Sequence, residues 1–455
     1  MAITKRTRIM RAVKTIAGIV AATAIFYGIV QVFNYMYVDS NDSWFQRFVL
    51  HDFYEDTSQI ENLYLGSSHV YCDINPMYLD NINGYFNFNL ATPGQLPNGT
   101  FHLLREADHY NELSHVYVEL YYRCYINSGV ESDDERIYTE LYRTWQNSDY
   151  MKLSVNKLAY MFSTAHPEQY TDLCIPFSRY RTQLDDWSYI QQVMEERQQE
   201  KFIDYRYSTE TMEYMGKGYF CFNQVVDDCD KRFYQADILG DNPIGKTSEK
   251  YLRKTIEYCQ MRDIPITLFV SPIYELQLVS TENYDNYVEE VKTIAEEYDV
   301  DFYDFNLAKE EYLPIQHGEY FMNIEHLNGN GGDIYTPFFY KVVSGEAADN
   351  DKYFYDAYAE KLQNAAPEIY GIYYRNPEEV VEGEEAMKTM WIASNRDSGM
   401  EYRIIITPNE GEQYMIQEFD ENKEFMLPMS EHGICTIVAR MKETPDEVQT
   451  LEINF

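Results

Sequence analysis

Ile60-Glu61-Asn62-Leu63-Tyr64-Leu65-Gly66-Ser67-Ser68-His69 reads as a buried strand running into a tight turn of small residues. A serine at the top of such a turn projects from the carboxyl end of a strand, where open α/β sheets keep their ligands. Far along the chain stands Asn323-Ile324-Glu325-His326-Leu327-Asn328, followed by Gly331-Gly332. It offers an imidazole close to the end of the same expected domain. A serine needs a base to become a nucleophile, and the base needs an orienting partner. The order is specific: Ser68 first, His326 last, and Asn323 just ahead of the histidine.

Working outward, further apolar runs read as strands: Gly84–Leu90, His115–Tyr121, Ile264–Val270 and Val300–Phe305. Helical spacing marks Phe101–Tyr110, a helix from near Thr247 that includes Tyr251, Leu252, Thr255, Ile256 and Cys259, then Tyr284–Tyr298 and Ile334–Val343. Strands alternating with helices predict a parallel sheet covered on both faces. Cys124 to Asp241 breaks the rhythm and reads as a helical, tyrosine-rich insertion placed over the carboxyl edge of the sheet. From Met387 the pattern becomes six short strands, Met387–Ala393, Tyr402–Thr407, Tyr414–Phe419, Glu424–Met429, Ile434–Met441 and Val448–Phe455, with turn residues between them. That spacing predicts a small β-sandwich.

The N-terminus carries Lys5, Arg6, Arg8, Arg11 and Lys14, and no charge follows from Thr15 to Val38. A charge-free run of that length crosses a bilayer as one helix, and the basic flank keeps the N-terminus cytoplasmic. A cleaved signal peptide, cut at Ala22-Thr23-Ala24, is the rival reading; the apolar run continues past it through Ile25, Phe26, Ile29, Val30, Val32 and Phe33. The expected parts are therefore a cytoplasmic tail (1–14), a transmembrane anchor (15–38), an α/β domain (39–345, insertion 124–241), a connector (346–386) and a sandwich (387–455). The expected place is the cell membrane, single-pass, with the C-terminal bulk extracytoplasmic.

The net charge is −38; with five positive charges in the tail, the rest carries −43. That excludes a nucleic-acid partner, which needs a basic face. The seven cysteines are odd in number and hold no Cys-x-x-Cys, so neither a disulfide framework nor a zinc site is expected. Cys221 and Cys229 are near enough in sequence to pair, and Cys72 reads as packing. No cofactor or metal is expected.

The Gly-Ser-Ser turn and the Asn-x-x-His block resemble the first and last motif blocks of the SGNH (GDSL-like) hydrolase superfamily, over residues 58–344. With the N-terminal anchor and His326-Leu327-Asn328 they resemble one membrane-anchored branch in particular, that of teichoic-acid D-alanylation and exopolysaccharide O-acetylation proteins. The resemblance implies a three-layer fold around a central parallel sheet and a catalytic Ser68 with His326 as base. It implies an oxyanion hole from the backbone N–H groups of Ser68 and Gly94. It also implies an envelope glycan or teichoic-acid-like polymer as substrate and a polytopic membrane O-acyltransferase as partner. Two positions depart from the family. Its orienting aspartate is Asn323 here, and its Gly-x-Asn block is replaced by Val118-Glu119-Leu120-Tyr121-Tyr122.

An amide orients an imidazole without stabilising its cation, and Asp→Asn in a trypsin-like triad costs about 10⁴ in rate. Asp304, at the end of a strand, is a second possible orienting acid, or else a strand-end cap. Glu119 and Arg123 edge the expected pocket, with a surface salt bridge as the plainer reading. Gly94 also reads as a plain Pro-Gly turn, and Asn98-Gly99-Thr100 as a glycosylation acceptor. Two functions follow: an SGNH-type acyltransferase or esterase, or a non-catalytic glycan-binding or docking protein. Asn323 speaks for the second and the Ser68–His326 pair for the first.

Overall fold

The structure, a computed structural model, describes residues 5–38, 44–56, 59–126, 130–131, 137–138, 141–199, 204–226, 232–234, 237–345, 352–377, 386–396 and 398–455. The chain divides into two compact units, Met1–His51 with Tyr138–Tyr207, and Asp52–Ile137 with Ser208–Phe455.

In the first unit the basic segment from Lys5 and the charge-free run form one helix, α1, Lys5–Tyr37. Its segment Met10–Tyr37 is long and apolar enough to cross a membrane. At 1.5 Å per residue, about 20 residues suffice for a hydrocarbon core of about 30 Å. From the insertion, the 3-10 segment Pro176–Gln183 and the helix Trp187–Glu196 pack with α1, while Val155–Thr164 and Tyr170–Cys174 pack on each other. Arg197 donates to Tyr35 O and Val38 O at 2.9 and 2.7 Å, and Tyr189 Oη donates to Tyr37 O at 2.9 Å.

The second unit is built on a five-stranded sheet: β1 Asn62–Leu65, β2 Asn87–Asn89, β3 His115–Glu119, β4 Ile266–Val270 and β5 Asp301–Asp304. All neighbours are parallel, in the order β5-β4-β3-β1-β2. The fold class is mixed α/β, as the alternation of apolar runs predicts. β1 and β4 are buried along their whole length, which requires cover on both faces. Tyr64 and Tyr117, paired across β1 and β3, stack at 4.7 Å. Phe339, from the last helix of the α/β part, packs over them and over Phe269. The chain leaves β1 for the edge strand β2 and returns to β3 on the other side. That reversal makes a switch point, with its crevice at the carboxyl ends of β1 and β3.

The insertion is divided in a way its composition hides. Its helical part groups with α1, while Met212–Gly216 and Tyr219–Phe222 form a hairpin in the second unit. The hairpin turn closes on β2, where Asn89 N donates to Lys217 O at 3.0 Å. Gly218, at φ +74°, is needed there, because a Cβ would meet Asn89 O at 1.9 Å.

The C-terminal strands are β6 Ile369–Arg375, β7 Met387–Ser394, β8 Met400–Pro408, β9 Tyr414–Asp420, β10 Glu424–Pro428, β11 Gly433–Met441 and β12 Val448–Asn454. They make two sheets, β10-β7-β6 and β9-β8-β11-β12. Ile372, Met390 and Ile392 pack into a common core with Ile404, Ile406, Ile437 and Ile453. The sandwich starts earlier than expected: Ile369–Arg375 belongs to it and not to the connector, because Ile369-Tyr370-Gly371-Ile372 is buried and pairs with β7. Arg232–Tyr234, from the insertion, extends the first sheet by pairing parallel to β6. Asn98 and Thr100 are buried in the first turn of a helix, Pro97–Tyr110, which removes them as a glycosylation acceptor. The described cysteines are free, Cys72 is buried, and Cys229 lies outside the described residues.

Candidate active site

Gly66 carries the chain off β1 at φ +152°, a conformation open to glycine. A Cβ there would stand 2.6 Å from Glu119 Cβ, so β1 and β3 can meet at the switch point only with glycine at 66. Ser67 then caps helix α2, Ser68–Asp73, and Ser68 is its first residue. Among the described residues no acceptor is bonded to Ser68 N–H, as is usual for a first-turn donor. The other end of α2 is held by Asn89 Nδ2, which donates to Val70 O and Ile74 O at 3.2 and 2.8 Å. The position of Ser68 is thus fixed by a strand, a required glycine and a buried asparagine.

His326 arrives on a tight loop. Met322 N donates to His326 O at 3.0 Å, and Asn323 Oδ1 accepts from Glu325 N and His326 N at 2.9 and 3.0 Å. This is an Asx-type turn, the local chemistry asparagine favours. Asn328 accepts from Gly331 N and caps the following helix, Gly329–Val343, while its amide donates to Gln224 O and Glu319 O. Leu327 N donates to buried Asp73 at 3.2 Å, tying the loop back to α2. The His-Leu-Asn-x-x-Gly context is therefore positional: it caps a helix and holds the loop that presents the imidazole.

Ser68 Oγ lies 2.6 Å from His326 Nε2, and His326 Nδ1 lies 3.0 Å from Asn323 Oδ1. The two backbone donors can bond only to an oxygen, so they fix which end of the Asn323 amide faces the ring. The ring then carries its proton on Nδ1, donated to Asn323, and its Nε2 lone pair accepts from Ser68 Oγ–H. That is the tautomer a general base needs. Burial holds the pKa of His326 below the usual imidazole value, against the pull of the Glu325 carboxylate, so the ring is neutral at pH 7. Ser68 and His326 are both partly exposed, and Asn323 is exposed.

Asp304 makes its bonds elsewhere. It accepts from Tyr284 Oη and from Asn306 N and Nδ2, as the cap of Phe305–Leu307. Glu325 bonds to other groups than the ring, accepting from Tyr121 Oη at 3.0 Å and Arg123 at 2.7 Å. Arg123 also pairs with Asp237 at 2.7 Å. Gly94 takes φ +57° in a turn closed by Gln95 N donating to Thr92 O, the Pro-Gly pattern of a type II turn.

Glu119 is neither a pocket edge nor a surface ion pair. It is buried beneath the serine turn, where its Oε2 accepts from Ser67 N at 3.0 Å, and burial raises its pKa to about 7. Beside it, buried His69 holds Ser67 Oγ at 2.9 Å, and its ring stacks on that of His326 with centroids 4.7 Å apart. Burial lowers the pKa of His69 far enough to keep it uncharged. An imidazolium at His326 would therefore meet no second positive charge on that face. The sequence showed His69 next to Ser68, but nothing in it placed the two imidazoles face to face.

The arrangement can deprotonate a serine at the mouth of a switch-point crevice. No family model and no curated protein matches this chain. Among solved structures it is similar to a GDSL-like lipase from Bacteroides thetaiotaomicron, with 9% sequence identity and a TM-score of 0.29, over 66% of this chain and 98% of that one.

Proposed function

We propose that the protein is a membrane-anchored SGNH-like acyltransferase or esterase that works outside the cytoplasm on envelope polysaccharide or a teichoic-acid-like polymer. The observation that carries this reading is the 2.6 Å contact between Ser68 Oγ and His326 Nε2, with Asn323 on the far nitrogen. In the reaction, Ser68 Oγ attacks the ester carbonyl while its proton passes to His326 Nε2. The tetrahedral oxyanion takes hydrogen bonds from Ser68 N–H and Gly94 N–H. His326 returns the proton to the leaving alcohol, and a sugar or polyol hydroxyl, or water, then takes the acyl group by the same steps reversed.

The basic residues in the first turns of α1 favour a cytoplasmic N-terminus and an extracytoplasmic bulk. Anchoring suits a partner that delivers acyl groups across the bilayer, a polytopic membrane O-acyltransferase, because tethering raises effective concentration. Asn323 favours a second reading, a non-catalytic glycan-binding platform, since an amide leaves the imidazolium without a counter-charge. A fluorophosphonate probe decides between them. The full chain in detergent is expected to label at Ser68 and to lose labelling in Ser68→Ala and His326→Ala. An unlabelled, folded chain would leave the binding platform.

A further inference from the structure

We propose that α1 and the helical insertion form a binding groove for one bilayer phospholipid with an anionic headgroup. The inference rests on reading α1 as a membrane span and is independent of the serine site. An open groove of about 860 Å³ runs along the C-terminal half of α1, a volume within the range of ligand pockets. Phe26, Val30 and Tyr35 of α1 line one wall, and Leu158, Met161 and Leu173 of the insertion line the other.

The depth of the groove selects the occupant. The charge-free run starts at Thr15, and about 20 residues cross the hydrocarbon core, which puts the far membrane face near Asn34. The α1 wall runs from Thr23 to Val38, so it covers the far leaflet and the headgroup level above it. Acyl chains are the surrounding medium at that depth. The insertion offers apolar surface to meet them: Leu153 and Val155 are 81% and 83% exposed.

The rim selects the headgroup. Arg47, Lys157 and Arg197 line the groove, and Arg197 is pinned at headgroup level by its bonds to Tyr35 O and Val38 O. Among the described residues, the acidic group lining it, Asp149, is already paired with Arg179. In a chain of net charge −38 this is a locally cationic rim, complementary to a lipid phosphate. Residues 138–207 carry eight Lys and Arg against ten Asp and Glu, so nearly all of the chain's negative charge lies elsewhere.

The test uses the full chain in phosphatidylcholine nanodiscs doped with phosphatidylglycerol that carries a diazirine on one acyl chain. After irradiation, labelled peptides are expected from residues 153–176 as well as from α1. Leu158→Glu, at an exposed position, is expected to cut labelling of 153–176 about tenfold while leaving α1 labelled. Ile82→Glu, on the second unit, is the control and is expected to change nothing. Lys157→Glu is expected to remove the preference over the same photolabel in phosphatidylcholine. Labelling confined to α1, or unchanged in Leu158→Glu, overturns the groove. If the parent chain is washed off membranes by carbonate, the span itself is wrong and the groove falls with it. If it stays bound without label in 153–176, only the groove is wrong.

Discussion

Asn323→Asp is expected to speed the reaction, by an amount that follows from the geometry. In a trypsin-like triad the amide costs about 10⁴, largely because it leaves the histidine in the wrong tautomer. Here Glu325 N and His326 N already hold Asn323 Oδ1 toward the ring, so the tautomer is right and only the missing charge remains to be gained. A charge-assisted bond at 3.0 Å exceeds a neutral one by about 1–2 kcal/mol, and exposure of Asn323 keeps the gain at that modest end. Asn323→Asp should therefore raise kcat/KM on a small acetyl ester about tenfold. The carboxylate also stabilises the imidazolium, so the pKa of His326 rises. Activity needs the neutral ring, hence the acid limb of the pH–rate profile moves upward. The assay is hydrolysis of a chromogenic acetyl ester by the full chain in detergent across pH 4 to 9. A folded variant whose rate and acid limb both match the parent would refute the reasoning.

Three further outcomes follow from the same geometry. Ser68→Ala should reduce ester turnover to background with an unchanged melting temperature; turnover equal to the parent would remove Ser68 as nucleophile. Gly66→Ala should destabilise the second unit by about 2–4 kcal/mol in urea melts, from a positive φ and a 2.6 Å approach to Glu119 Cβ; a loss below about 0.5 kcal/mol would show that the turn relaxes. Glu119 has a folded pKa raised to about 7 from 4.5, so its native form binds a proton that the unfolded chain has released between those values. Stability should fall by about 3 kcal/mol as pH rises from 4.5 to 7 and then level off, and Glu119→Gln should flatten that decline; a parallel decline in the variant would assign it to other groups.

What the sequence made legible is local. Ser68 could be placed because a strand, a glycine and a helix start are contiguous there, and His326 because Asn323 and Asn328 make turn and cap bonds within a few residues. The six C-terminal strands were legible from alternation and turn residues. The parts that escaped depend on distant partners. Glu119 was legible as a strand-end acid, but its burial under Ser67 depends on β1 and β3 being neighbours. Asp304 carried the same strand-end signal and is a cap. β6 reads as an aromatic connector, because Tyr370, Tyr373 and Tyr374 serve a sheet and a helical surface equally well. The insertion showed one composition throughout, although its helices join α1 and its hairpin joins the sheet.

The pairing of Arg232–Tyr234 with β6 has a consequence for the order in which the molecule is made. It joins Arg232 to Ile372 and Tyr234 to Tyr374 across the whole length of the last α/β strands and helices. A chain emerging N-terminus first presents this short strand long before its partner exists. Until β6 arrives, its backbone donors and acceptors form an unpaired edge open to mispairing. A stop after residue 345 would leave that edge permanently, and a fragment from residue 387 would lack both β6 and the strand beyond it. The sandwich is therefore a clasp that closes late over a segment made early, and the arrival of β6 is the event that pairs its edge.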